Sequence, residues 1–443
     1  MKANPALVPY DSAANGAWTA REAAHLLNRA QFGFTPAELD RATNDGFEVT
    51  LQRLLDPQPE SLEFLQADAS LRQAAINTGN LDHLKIWWLY RMRFSANPLT
   101  EKLTLFWHNH FATSNAKVNS VPYMLAQNEL IRTNAAGDFK ALLHGISRDT
   151  AMLIWLDGNA NRKRHPNENF AREIMELFAL GVGNYTERDI QEAARAFTGW
   201  HVRDGEFWRN RQQHDDSIKT VFGQTGLFDG NDIVDLCLAQ PACPRFLALK
   251  LARTFVCPEP PEEMLAILAT RIREADFQLK TVLQELFSSQ WFFARENRRR
   301  VIKSPLDLVQ GTLRMVTDPI RWPGVVRLLA DLGQDVFSPR SVKGWEGGRL
   351  WISSSSLLQR ANFATELITT DQYGPLSPRL RLLANESADA VVAQLQRWLL
   401  SDAIDDKISA ELLKFFHATE GTSEQKLRGL LQLALSLPEY QLQ

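Results

Sequence analysis

Helix-start signals recur along nearly the whole chain, and this recurrence limits the fold more than any other feature. Thr19-Ala-Arg-Glu22 has the form of a capping box, in which a threonine hydroxyl and a glutamate three residues later satisfy free amides of the first turn. Thr35-Pro36-Ala-Glu38 repeats the signal with proline at the first helical position, where its missing N–H is no loss. Thr186 and Asp189 form a third start. Apolar spacing predicts further helices at about 47–55, 61–77, 80–95, 98–112, 120–135, 139–156, 167–181 and 186–198. Others follow near 241–256, 261–274, 278–290, 303–317 and 321–332.

The helical pattern breaks between Trp200 and Gly226. There Val202, Phe207 and Trp208 flank an Asp204-Gly205 turn, the signature of a hairpin, and the polar run Gln212 to Ser217 follows. A glycine-rich aromatic loop spans Val342 to Trp351. Ser353 to Ser356 then lead into a helix reaching Thr369, and polar loop residues 370–387 precede three short helices. No fixed-period repeat suggests a solenoid. The expected fold is all-α, a large multi-helix array with one small irregular or hairpin insert near 200–226. A soft boundary at Gly223–Asn231 divides it into an N-terminal helical region, 1–222, and a C-terminal one, 223–443.

A chain of 443 residues can hold two or three domains or one continuous helical core. Its net charge of −3 gives no electrostatic reason to expect nucleic acid as a partner. No apolar run approaches the roughly 20 residues of a membrane span. Met1 to Ala20 lacks the apolar core of a secretory signal, so the expectation is a cytoplasmic protein or one exported with its signal removed. Cys237, Cys243 and Cys257 form no CxxC pair, which argues against a disulfide framework and a structural zinc site, and Cys237 and Cys243 read as small core residues.

Four blocks and the chain's ending carry a family resemblance. They are EKLTLFWHNHFAT at 101–113, PNENFAREIMELF at 166–178, ARAFTGW ending at Trp200, VKGW at 342–345 running on to Trp351, and Leu437 to Gln441. With them the chain, over about residues 20–441, resembles the bacterial family called domain of unknown function 1800. That family is defined without an established activity. The resemblance implies a frequent export signal and, as a partner, a neighbouring family related to the sulfatase and alkaline phosphatase superfamily.

Several constellations suggest chemistry. His108 and His110 form a His-x-His pair, but residues two apart lie about 200° apart around a helix, so both rings cannot chelate one ion. His110 falls on the buried stripe of Leu103, Phe106 and Trp107, as a core histidine or a single ligand. The loop from Asp157 to Glu168 places Asp157, Asn159, Asn161 and Glu168 at positions 1, 3, 5 and 12 of a calcium-loop template, implying a divalent metal. Arg162 stands where that template wants glycine, and Arg162, Lys163 and Arg164 make the loop net positive. The same residues also describe an anion site, with Arg162, Arg164, His165 and Asn167 gathered at a helix start. A third reading makes them turn and capping residues.

Asn169, Glu173 and Glu176 line one helix face, a carboxylate stripe of the kind bundle metal centres use, although no Glu-x-x-His accompanies it. Arg172 is spaced for a salt bridge with Glu168. His214 beside Asp215 and Asp216, with Lys219 near, has the makings of an acid–base pair in the insert. Trp345 and Trp351, flanking glycines, are candidates for a ligand-stacking platform.

The functional expectation is an enzyme with a metal-assisted polar pocket between helices, in which His110, Glu168 and Glu173 converge. The rival is a non-catalytic binding or assembly protein acting with a partner hydrolase. Convergence in one concave site separates the two.

Overall fold

The capping signals become helix starts. In the computed structural model, which describes residues 17–400 and 406–443, the Thr19, Thr35 and Thr186 hydroxyls each accept from a first-turn amide, and Glu22, Glu38 and Asp189 reach back to close the boxes. The first residues read for a signal segment, 1–16, lie outside the described residues.

Helix boundaries differ from expectation where local chemistry intervenes. The expected 47–55 helix is the second half of Pro36–Leu55, which is kinked at Gly46 (φ 82°). The single run at 139–156 is two helices, Phe139–Ser147 and Thr150–Trp155, because Asp149 caps a new start by accepting from the Met152 amide at 2.8 Å. The run at 167–181 begins as the α-helix Glu168–Glu173 and widens into a π-helix, Ile174–Leu180. The 370–387 loop contains a short helix, Pro378–Leu383.

The insert is more regular than one hairpin. Among the described residues, strands occur only as two antiparallel pairs, Trp200–Arg203 with Glu206–Arg209 and Lys219–Val221 with Gln224–Gly226. The architecture is therefore all-α with a small two-hairpin insert.

Buried apolar side chains form two clusters. One gathers residues from Leu26 to Phe293, including Trp107, Phe139, Phe178 and Trp200, and holds all three cysteines. The other joins Trp87, Trp88 and Met92 to the C-terminal helices through Leu313, Phe363 and Leu430. Val221 and Ile233, on either side of the expected boundary, lie in the same cluster. The Ala20–Ala30 helix serves both, with Leu26 and Ala30 in the first and Ala23 and Leu27 in the second. Close backbone approach fixes its exit: a Cβ on Gly33 (φ 67°) would stand 2.7 Å from the Gly311 Cα.

Candidate functional site

The Pro98–His110 helix ends inside the protein, and its last three residues each engage a different segment. The His108 ring is buried and its Nε2 accepts from the Phe337 amide at 3.1 Å, which puts the ring proton on Nδ1. The Asn109 carboxamide clamps the Trp345 backbone: its Oδ1 accepts from the Trp345 amide at 2.6 Å and its Nδ2 donates to the Trp345 carbonyl at 3.1 Å. His110 Nε2 lies 2.9 Å from the Phe178 carbonyl on the π-helix, and a carbonyl only accepts, so here the proton sits on Nε2. The two histidines therefore hold opposite neutral tautomers. Burial depresses both to a pKa of about 3, and the nearby Lys250 ammonium adds to the effect on His110.

The His-Asn-His segment is thus a three-way tie joining the helix end, the 337–345 stretch and the π-helix. His110 Nδ1 is buried without a partner among aromatic rings that include Phe106, Phe111 and Phe178. Among the described residues no hydrogen bond or ion pair joins this imidazole to the Glu168 or Glu173 carboxylate.

The 157–168 loop is built mainly by its own side-chain oxygens. Asn159 Oδ1 accepts from the Val202 amide at 2.6 Å, and Asn161 Oδ1 from the Asn167 amide at 2.9 Å. Asp157 pairs with Lys117 at 2.8 Å, and Glu168 with Arg172 at 3.0 Å. Each of the four engages a different partner. Among the described residues no group of three or more His, Cys, Asp or Glu is placed to hold a metal ion. Asn167 caps the following helix by accepting from the Asn169 amide, while Arg162, Arg164 and His165 stand exposed around a backbone turn closed between Arg162 and His165.

In the insert, neighbours face different partners. His214 is buried with Nδ1 2.9 Å from the Thr198 carbonyl, and the nearest carboxylate oxygen to its Nε2 is that of Asp216, at 3.9 Å. Asp215 instead accepts from Arg195 at 2.9 Å and from the Ser217 amide at 2.9 Å. Although burial opposes ionisation, those hydrogen bonds hold its carboxyl well below the usual range. Lys219 donates to the Asp215 and Ser217 carbonyls. The His214–Asp215 pair is therefore corrected to two structural anchors that dock the insert.

The expected tryptophan platform is also corrected. Trp345 is 8% exposed and its ring packs 5.7 Å from His108, so it is part of the core, while Trp351 is half-buried.

The carboxylate stripe is where unusual electrostatics remain. Glu173 is half-buried, and its carboxyl is held above the ordinary 4.5, first by burial and then by the neighbouring Glu176 carboxylate. The Arg172 and Lys343 cations oppose the rise, Lys343 from the glycine-rich loop. Glu176 accepts from the Tyr185 hydroxyl, and burial followed by this bond pushes that phenol up to about 12. Arg172 is committed to Glu168 and Glu187.

The loop reaches this place because Asn109 clamps it. A Cβ on Gly344 (φ 73°) would stand 2.3 Å from the Asn109 Oδ1, so only glycine lets the clamp close. Tyr185 and Lys343 were not singled out from the sequence. The helical spacing of Glu173 and Glu176 was the legible part of the site.

Comparison with known proteins agrees with the sequence blocks. The model of the family described as "Protein of unknown function (DUF1800)" matches residues 25–442, and the chain belongs to that family. No curated protein and no solved structure matches it.

Proposed function

We propose that this protein is an enzyme whose acid–base group is Glu173, with Glu176, Tyr185 and Lys343 completing the site. The observation that carries this reading is the raised pKa of a half-buried carboxyl beside a second carboxylate, at the junction where the α-helix gives way to the π-helix that carries Glu176. Raised carboxyl pKa values suit proton transfer near neutrality, and π-turns recur at functional positions. Glu173 transfers the proton, Lys343 binds an oxygen that gains negative charge, and the Glu176–Tyr185 pair sustains the field that keeps Glu173 protonatable.

The test is turnover by the full chain of p-nitrophenyl esters, phosphate mono- and diesters, sulfates and glycosides, with and without added divalent metal ions. With Glu173 as base, activity rises with pH through a midpoint above 4.5. Glu173→Gln lowers it on the order of 100-fold or more and removes that limb. Absence of turnover on every class, or unchanged turnover in the variant, overturns the reading.

A second reading, a binding or assembly protein acting with a sulfatase-related partner, is favoured by one observation. Leu350 and Leu358, at and just beyond the glycine-rich loop, are 65% and 63% exposed. Its test is co-elution with the sulfatase-related neighbour, expected to be lost in Leu350→Asp and Leu358→Asp.

A further inference from the structure

A cavity of about 250 Å³ lies between the Trp322–Asp331 helix, the Ser354–Thr369 helix and the segment carrying Gln372 and Tyr373. It is separate from the Glu173 site, and no sequence motif pointed to it. We propose that it is a binding site for a neutral polyhydroxylated ligand the size of one sugar ring.

Which side chains are already committed decides what the cavity can take. At the back wall, the buried Tyr373 hydroxyl donates to Glu366 Oε2 at 2.7 Å and accepts from Gln372 Nε2 at 3.3 Å. That chain fixes the Glu366 carboxylate while leaving its second oxygen available. Around the rim stand Arg327, Asp331, Gln359 and Asn362, whose side chains have no hydrogen-bonding or ionic partner among the described residues. Arg327 and Asp331 sit four residues apart on one helix, the spacing of a common ion pair, yet both face the cavity unpaired.

The inventory selects the ligand class. Amide side chains both donate and accept, carboxylates only accept, and guanidinium only donates. This mixture matches a ring of hydroxyls, each of which does both. An anion would meet the Asp331 and Glu366 carboxylates. An apolar molecule would leave four or more polar groups without water or partner. A cation would meet Arg327. The volume falls just below the roughly 300 Å³ at which ordinary small-molecule pockets begin, which limits the ligand to one ring.

The test is ligand-observed saturation-transfer NMR and titration calorimetry on the full chain with D-glucose, N-acetylglucosamine, D-glucuronate and spermidine. Each is supplied at about 10 mM, ten times a millimolar Kd. At least one neutral sugar is expected to bind. Asn362→Leu and Glu366→Gln are each expected to weaken it tenfold or more, with circular dichroism unchanged. Lys140→Ala, at a distant exposed ion pair, is expected to leave binding as it was. The proposal is overturned if neither neutral sugar binds, if only glucuronate or spermidine does, or if Asn362→Leu and Glu366→Gln bind as the unmodified chain does.

Discussion

At the scale of single residues, His108 and His110 show how a motif that suggests metal chemistry can be an internal tie. Each buried ring uses one nitrogen on a backbone group, and neither site has a carboxylate to stabilise an imidazolium. The consequence is a stability that depends on pH. Their folded-state pKa values of about 3 lie below the ordinary 6.5, so the unfolded chain binds these protons first. Their contribution is fully present above pH 6.5 and is lost as the pH falls from there toward 3. Between pH 6.5 and 5 the loss is on the order of 2 kcal/mol per histidine. Urea unfolding across that range is expected to show a shallower slope in His108→Gln than in the unmodified chain; equal slopes would mean that the ring is charged in the folded state.

At the scale of elements, Asp149 turns one expected helix into two. Its carboxylate caps the Thr150–Trp155 helix and accepts from Gln127 Nε2 at 2.7 Å, and burial pushes its pKa up to about 7. The sign is opposite to that of the histidines. Since the folded value exceeds the ordinary 3.8, this stabilisation is complete below pH 3.8 and is lost as the pH rises through 7. Asp149→Asn keeps an oxygen for both donors without the buried charge. It is expected to raise stability at pH 8 by about 1–3 kcal/mol and to change little at pH 4. A variant less stable at pH 8 would show that the ionised carboxylate is the preferred cap.

At the scale of the whole molecule, the two buried clusters are linked by shared elements and buried polar contacts. The Ala20–Ala30 helix supplies both, and the Pro98–His110 helix gives Leu103 and Trp107 to one and Leu105 to the other. His25 bonds the Phe292 carbonyl at 2.9 Å, Arg29 the Asn297 carbonyl at 2.8 Å, and Lys102 pairs with Asp307. Neither cluster can open without exposing side chains of the other. Calorimetry is therefore expected to give one unfolding transition with a calorimetric to van't Hoff enthalpy ratio near one; two resolved transitions would show that the clusters unfold independently. No helix among the described residues is long and apolar enough to cross a membrane.

What the sequence by itself determined is what nearest neighbours along the chain control. The starts at Thr19, Thr35 and Thr186, the helical class and the break at Trp200 depend on capping chemistry, apolar spacing and turn residues within a few positions of one another. The stripe of Glu173 and Glu176 was legible for the same reason. What only the tertiary structure decided is which groups are already taken. Asn159, Asn161, His110 and Asp215 have the composition of a functional site, yet each gives a polar atom to an amide, carbonyl or cation distant in sequence. Tyr185 and Lys343 carry no local signal and join Glu173 only through the π-helix and the Asn109 clamp. A buried polar atom must find a partner from whatever the fold brings near it, and that partner is set by packing over hundreds of residues.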